Sequence, residues 1–189
     1  MNAHAHAATS FAHPAHNTAA LGVDTGMVIA DFGAGSGHYA LQCAERLEGT
    51  GCVYAIDVQR DLLRRIRNEA QRRGLKNIEV IAADIERPSG THLAERAVDL
   101  ALISNVLFQL EHPKAALMEA WRIVKPSGKV AVIDWSDSFR GLGPTKKHVF
   151  SKDAALGLAS ETGFELLKEF HAGAHHYGLI FKPRPRPRI

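Results

Sequence analysis

Six side chains able to carry charge or donate hydrogen bonds recur at one kind of place in this sequence: just inside or just after a short apolar run. They are Asp31, Asp57, Asp84, Ser104, Asn105 and Asp134. The first belongs to Val28–Phe32, an apolar run that leads into Gly33-Ala34-Gly35-Ser36-Gly37, a turn almost without side chains. A helical apolar period resumes at Tyr39. Strand, glycine turn and helix together bring backbone close to a nucleotide-like ligand. Asp31 lies two residues before the first glycine, where a carboxylate would repel a pyrophosphate and attract an ammonium. The expected ligand is therefore nucleoside-like, cationic and free of phosphate.

Several elements must position these groups. The residues from Tyr39 to Leu47 form an amphipathic helix, and Cys52–Ile56 a second strand with Asp57 at its end. Asp57 stands 20 residues beyond Gly37, the distance at which such folds place an acid on ribose hydroxyls. Capping the next helix is the competing role for it. That helix, Asp61–Arg73, buries Leu62, Leu63 and Ile66 and turns its arginines outward, ending at Gly74. Ile78–Ala82 is a third strand, followed by Ala83, Asp84 and Ile85. Val98–Ile103 is a fourth, leading into Ser104 and Asn105. A helix from Pro113 to Val124 and the turn Lys125-Pro126-Ser127-Gly128 precede the fifth strand, Lys129–Trp135. Residues 136–150 read as a lid loop and Lys152–Glu161 as a helix capped by Ser151. Phe164–Phe170 and Tyr177–Phe181 are the last strands, joined by a turn containing His171, His175 and His176.

The glycine turn with Asp31, the acids after strands two and three, and Arg122–Val130 resemble the motifs of class I S-adenosylmethionine-dependent methyltransferases. The similarity runs from about Val23 to Lys182 and is strongest to the small-molecule, quinone-biosynthesis-like branch. It implies an α/β fold: a Rossmann-like doubly wound seven-stranded sheet, order 3-2-1-4-5-7-6, with strand 7 antiparallel. It implies S-adenosylmethionine as cofactor, with S-adenosylhomocysteine as product, and a small-molecule methyl acceptor as partner. The cofactor residues it points to are Asp31, Gly33, Ala34, Gly35, Gly37, Asp57, Val58, Ala83, Asp84, Ile85, Ser104 and Asn105. Asp31 would orient the ammonium, Asp57 the ribose, and Asp84 the adenine edge, while Asn105 would lie between cofactor and acceptor. The segment after strand four lacks the Asn/Asp-Pro-Pro-aromatic sequence of enzymes that methylate exocyclic or amide nitrogens. In the family topology the start of strand 7 shares the active edge, so His176, His148 and Asp134 are the candidates for proton removal, with His38 behind them. Two cysteines, Cys43 and Cys52, both on scaffold elements, argue against thiol-based arsenic chemistry.

The chain has 189 residues, 46% hydrophobic and 23% charged, which suits one globular domain. Residues 1–17 read as a disordered His- and Ala-rich leader, 18–182 as the methyltransferase domain and 183–189 as an Arg-Pro tail. A metal site at His171, His175 and His176 is disfavoured because adjacent strand positions face opposite sides, so no metal is expected. No apolar run is long enough to span a bilayer, and the expected location is cytoplasmic. The sequence pI of about 9.0 comes largely from Lys182, Arg184, Arg186 and Arg188, leaving a nearly neutral body. Nucleic acid is therefore not the expected partner. The chain is expected to act as a monomer or homodimer. Two further readings stay open: an RNA- or protein-methylating enzyme using the arginine helix or tail, and a non-catalytic cofactor-binding subunit. A NAD-dependent oxidoreductase is a third, separable by cofactor binding.

Overall fold

Alternating apolar strands and amphipathic helices build a mixed sheet covered on both faces. The computed structural model describes residues 12–139 and 143–185. The strands are β1 (Val28–Phe32), β2 (Cys52–Asp57), β3 (Ile78–Ala82), β4 (Val98–Ser104), β5 (Val124–Trp135), β6 (Phe164–Gly173) and β7 (His176–Pro183). They lie in the order β3-β2-β1-β4-β5-β7-β6. The first five are parallel, and β7 runs antiparallel to both β5 and β6. This is the architecture the resemblance implied.

Among the described residues five helices flank the sheet: α1 (Pro14–Ala20), α2 (His38–Arg46), α3 (Arg60–Arg72), α4 (Pro113–Ile123) and α5 (Lys152–Glu161). Two apolar layers result. On one face Leu21, Tyr39, Ala40, Leu63 and Ile66 pack on Ile29, Val53, Leu100, Leu102 and Ile133. On the other, Ala116, Leu117, Ala120, Ala155 and Ala159 pack on Phe32, Ile103, Val132, Leu179 and Phe181. Small alanines on α4 and α5 let those helices approach the sheet closely. The Ser151 hydroxyl caps α5 by accepting the Ala154 N–H at 3.1 Å.

Three local features differ from expectation. Helix α1 begins at Pro14, inside the stretch read as a disordered leader, and its Asn17 and Thr18 are fully buried. Residues 1–11 of that leader, and 186–189 of the tail, lie outside the described residues, as do 140–142 of the expected lid. Second, β5 starts at Val124, five residues earlier than expected. Val98 pairs with Val124 and Leu100 with Lys129, so 125–128 bulge out of the ladder and still turn the chain. The Lys125 ammonium reaches both carboxylate oxygens of Asp99 at 2.9 Å and pins the bulge. Third, β6 runs on to Gly173, absorbing half of the His-rich turn.

Strand β6 is one edge of the sheet and β3 the other. On β6 the exposed Glu165 and Glu169 pair with Lys182 and Lys152 at 2.8 and 3.0 Å. Charges of this kind discourage edge-to-edge pairing with another chain.

Candidate active site

The parallel strands end together, and the groups they carry meet around the glycine turn. Gly33, Gly35 and Gly37 all have positive φ (66°, 55° and 80°). Each serves a different purpose. A Cβ on Gly33 would meet Val106 Cγ2 at 2.6 Å, and one on Gly37 would meet Ile66 Cγ1 at 2.5 Å. A Cβ on Gly35 would meet nothing closer than 3.8 Å, so its face is open to a ligand. The turn is held from β2, where the Asp57 carboxylate accepts the Gly35 N–H at 2.9 Å and the Gln59 N–H at 2.8 Å. Asp57 is not the cap of α3, a position taken by Gln59. Each Asp57 oxygen keeps a lone pair for a hydroxyl donor.

Two adjoining cavities share Gly33, Gly35 and Gln109. One, of about 280 Å³, is bounded by Asp57, Val58, Ala83, Asp84, Ile85 and Leu110 among others. Here Asp57, Asp84 and Glu86 set three carboxylates around an apolar slot, and Val58 presents its side chain with 65% of its surface exposed. Asp84 accepts the Glu86 N–H at 2.9 Å, which turns the chain at the rim. The loop beyond it is held by Glu119, buried in α4, whose carboxylate accepts the Ser89 and Thr91 N–H groups and pairs with Arg122 at 2.7 Å. Burial opposes the Glu119 charge, but hydrogen bonds from Arg122 and Thr91 outweigh it and lower its pKa.

The second cavity, of about 460 Å³, is lined by Asp31, Ala34, Ser36, His38, Tyr39, Ser104 and Asn105, with Ala12 and Pro14 from the start of α1 and its lead-in. Burial pushes the Asp31 carboxyl up to about 7, the Ala40 N–H on α2 offsets part of this, and the Asp57 charge adds to it. Its Oδ2 is buried without a hydrogen-bond partner. Asn105 has a left-handed backbone, φ 57°, and its carbonyl accepts the Gln109 amide at 2.6 Å. A buried carboxylate oxygen lacking a donor, beside a glycine face open to approach, fits a ligand whose charged end is an ammonium.

Of the twelve cofactor residues expected from sequence, eleven line these cavities; Gly37 does not. Its left-handed backbone starts α2, and its bare α-carbon admits Ile66 of α3, so it is a packing glycine. The three candidates for proton removal line neither cavity. Asp134 is fully buried, and its carboxylate accepts the Leu107 N–H at 3.0 Å and the Trp135 N–H at 2.8 Å. It anchors the 3₁₀ turn after β4, and burial raises its pKa to about 7 against those hydrogen bonds. His148 is exposed, with Nδ1 2.7 Å from the Thr145 hydroxyl. His176 packs on Trp135, ring centroids 4.3 Å apart, and burial lowers its pKa to about 4, keeping it neutral at pH 7. His175 pairs with Asp137 at 2.8 Å. Among the described residues no group of three His, Cys, Asp or Glu side chains is arranged to hold a metal.

Sequence reasoning passed over Gln109, Leu110 and the α1 contribution. Gln109 sits on a three-residue 3₁₀ turn too short to leave a periodic signal. The α1 stretch carries polar residues that are buried only because other elements meet them.

The family model for a methyltransferase domain matches residues 23–179. The chain belongs to this family. The methyltransferase domain shares the class I, Rossmann-like fold of a crystal structure of an S-adenosylmethionine-dependent methyltransferase from Aquifex aeolicus. That likeness has a TM-score of 0.82 at 26% identity and covers 93% of this chain and 92% of the other. Aklanonic acid methyltransferase DauC of Streptomyces sp. is 32% identical over 107 residues, 57% of this chain and 47% of DauC. The ubiquinone/menaquinone biosynthesis C-methyltransferase UbiE of Cupriavidus taiwanensis is 31% identical over 124 residues, 66% and 49% respectively. The methyltransferase chain thus spans about half the length of these curated relatives. Among its described residues no helix is long and apolar enough to cross a membrane.

Proposed function

We propose that this chain transfers a methyl group from S-adenosylmethionine to a small organic acceptor. The observation that carries the reading is the pair of cavities meeting at Gly33 and Gly35, one with Asp57 and Asp84 beside an apolar slot, the other with the unpartnered Asp31. When bound, the sulfonium supplies an activated methyl group.

The chain's own residues supply alignment and solvent exclusion. Asp31 would balance the ammonium, Asp57 would accept from the ribose hydroxyls, and Asp84 would accept from the adenine amino group. Val58 and Ile85 would cover the purine faces. Asn105, held in its left-handed conformation by the Gln109 contact, would orient the acceptor at the boundary of the two cavities. An in-line displacement from a good leaving group is accelerated chiefly by such positioning. We read Asp134 as the anchor of the segment bearing Asn105, acting on the reaction through placement. His148 and His176 would not reach the acceptor without movement of the segment above them.

The acceptor class is suggested by the relatives, one acting on aklanonic acid and the other in quinone biosynthesis. We propose an oxygenated aromatic or polyketide-derived acceptor of that kind, with nucleic acid, membrane span and metal not required. We propose that it acts in the cytoplasm, as a monomer or a homodimer. The test is release of S-adenosylhomocysteine by purified protein against panels of phenols, quinols, polyketide acids, RNA and proteins. Turnover confined to the small molecules is expected. Turnover only with RNA or protein, or binding without turnover on any panel, overturns the reading in favour of a macromolecular substrate or a non-catalytic subunit.

A further inference from the structure

Among the described residues, the second cavity is lined by an acid and several hydroxyl or amide donors but by no lysine or arginine. This matters because the methionyl end of the cofactor is a zwitterion. Asp31 can compensate its ammonium, yet the same negative charge repels the carboxylate bonded to the same carbon. With no lysine or arginine there and His38 the one imidazole, hydroxyl and amide donors away from Asp31 are the main partners on offer to the carboxylate.

A buried side-chain arrangement at the junction of α1, α2 and β6 prepares such a donor. Asn17, fully buried, places Nδ2 2.8 Å from the Tyr39 hydroxyl and 3.0 Å from the Ala172 carbonyl oxygen. A carbonyl oxygen only accepts, so the atom facing Ala172 must be the amide nitrogen, and its orientation is fixed. Asn17 therefore donates to the Tyr39 oxygen, and the phenol keeps its own hydrogen to give elsewhere. Tyr39 lines the cavity, and Ser104 lies beside the phenol with its Oγ buried. Burial raises the Tyr39 pKa, and Asn17 and Ser104 offset only part of that, so the phenol stays protonated.

Building on the S-adenosylmethionine reading, we propose that Tyr39, oriented by Asn17, donates its phenolic hydrogen to the carboxylate of the cofactor's methionyl end. Tyr39 is then a binding residue and Asn17 a positioning residue acting through it. Asp31 and the Tyr39 hydroxyl divide the zwitterion between them. The N-terminal helix thereby takes part in cofactor recognition although it touches the site only at its first residues.

The test compares two ligands on the full chain by calorimetry: S-adenosylhomocysteine, and 5′-methylthioadenosine, which keeps the nucleoside and sulfur but lacks the amino-acid end. Tyr39→Phe should weaken S-adenosylhomocysteine roughly tenfold, the effect expected for a hydrogen bond to a charged group, and leave methylthioadenosine unchanged. Asn17→Ala, a second variant, should lower the same ratio by a smaller factor, about threefold. Methylthioadenosine binding doubles as the check that each variant is folded. An unchanged S-adenosylhomocysteine affinity, as expected if the phenol serves the acceptor, overturns the proposal. So does an equal loss for both ligands, the signature of a merely structural role. Failure of the wild-type chain to bind either nucleoside would instead overturn the S-adenosylmethionine reading itself.

Discussion

If Asp31 holds the cofactor's ammonium as proposed, it couples cofactor binding to a proton, and the size of the effect follows from its burial. In the free protein its carboxyl has a pKa of about 7, raised by burial and by Asp57 against one N–H from Ala40. A ligand ammonium favours the ionised form, so the site must shed a proton before it binds well. Above pH 7 the group is already ionised and affinity is level. Near pH 6 only about one tenth is ionised, and near pH 5 about one hundredth, so affinity should fall roughly tenfold and then a hundredfold. The same carboxyl acts oppositely on folding. Because its folded pKa exceeds the ordinary 3.8, its contribution to stability is present below pH 3.8 and is lost as pH rises towards 7. Calorimetric titration with S-adenosylhomocysteine from pH 5 to 8, in two buffers of different ionisation enthalpy, reads both affinity and protons released. Nearly one proton should be released per site at pH 6. Asp31→Asn should flatten the profile and lower the plateau. A flat wild-type profile, or an unchanged slope in Asp31→Asn, refutes the linkage.

Gly37→Ala should destabilise the fold by about 2–4 kcal/mol, combining left-handed backbone strain with overlap on Ile66. Urea unfolding measures it, and the penalty should shrink in an Ile66→Ala background. Asp134→Ala leaves the Leu107 and Trp135 N–H groups without their acceptor in a dry site and should cost about 2–4 kcal/mol in urea. It should also weaken S-adenosylhomocysteine binding by loosening the Asn105 segment. Glu119→Ala exposes Arg122 and the loop amides of Ser89 and Thr91 to an unfilled site. A loss of about 3–5 kcal/mol in urea is expected, as for breaking a buried pair. Since the Glu119 pKa is lowered in the folded protein, its stabilisation is present above the ordinary carboxylate range and declines as acid protonates it.

The strand-end acids were legible in the sequence because each sits beside an apolar run, and alternation along a strand fixes the face a side chain takes. Asp31 shares its face with Ile29, which put it on the side of α2. Gly35 and Gly37 could not be told apart on spacing alone: both need a left-handed backbone, and only the approach of Ile66 decides which one packs and which one faces the open cavity. Asp134 differs for a related reason. The end of β5 does lie at the active edge, but its side chain points to the face opposite Trp135, where loop amides enclose it. Asn17 and Thr18 gave no apolar period, since hydrogen bonds rather than hydrophobic contact pay for their burial. The Lys125–Gly128 turn was recognised by composition, whereas its standing inside one continuous strand depends on Asp99, distant in sequence.

One consequence follows from where α1 lies. The stretch matched by the family model begins at residue 23, after α1 ends. The glycine turn and the strand-end acids lie inside that stretch, while Ala12, Pro14 and Asn17 lie before it. A change in this short roof piece would therefore reach the second cavity and the Tyr39 hydroxyl together, with the sheet left as it stands.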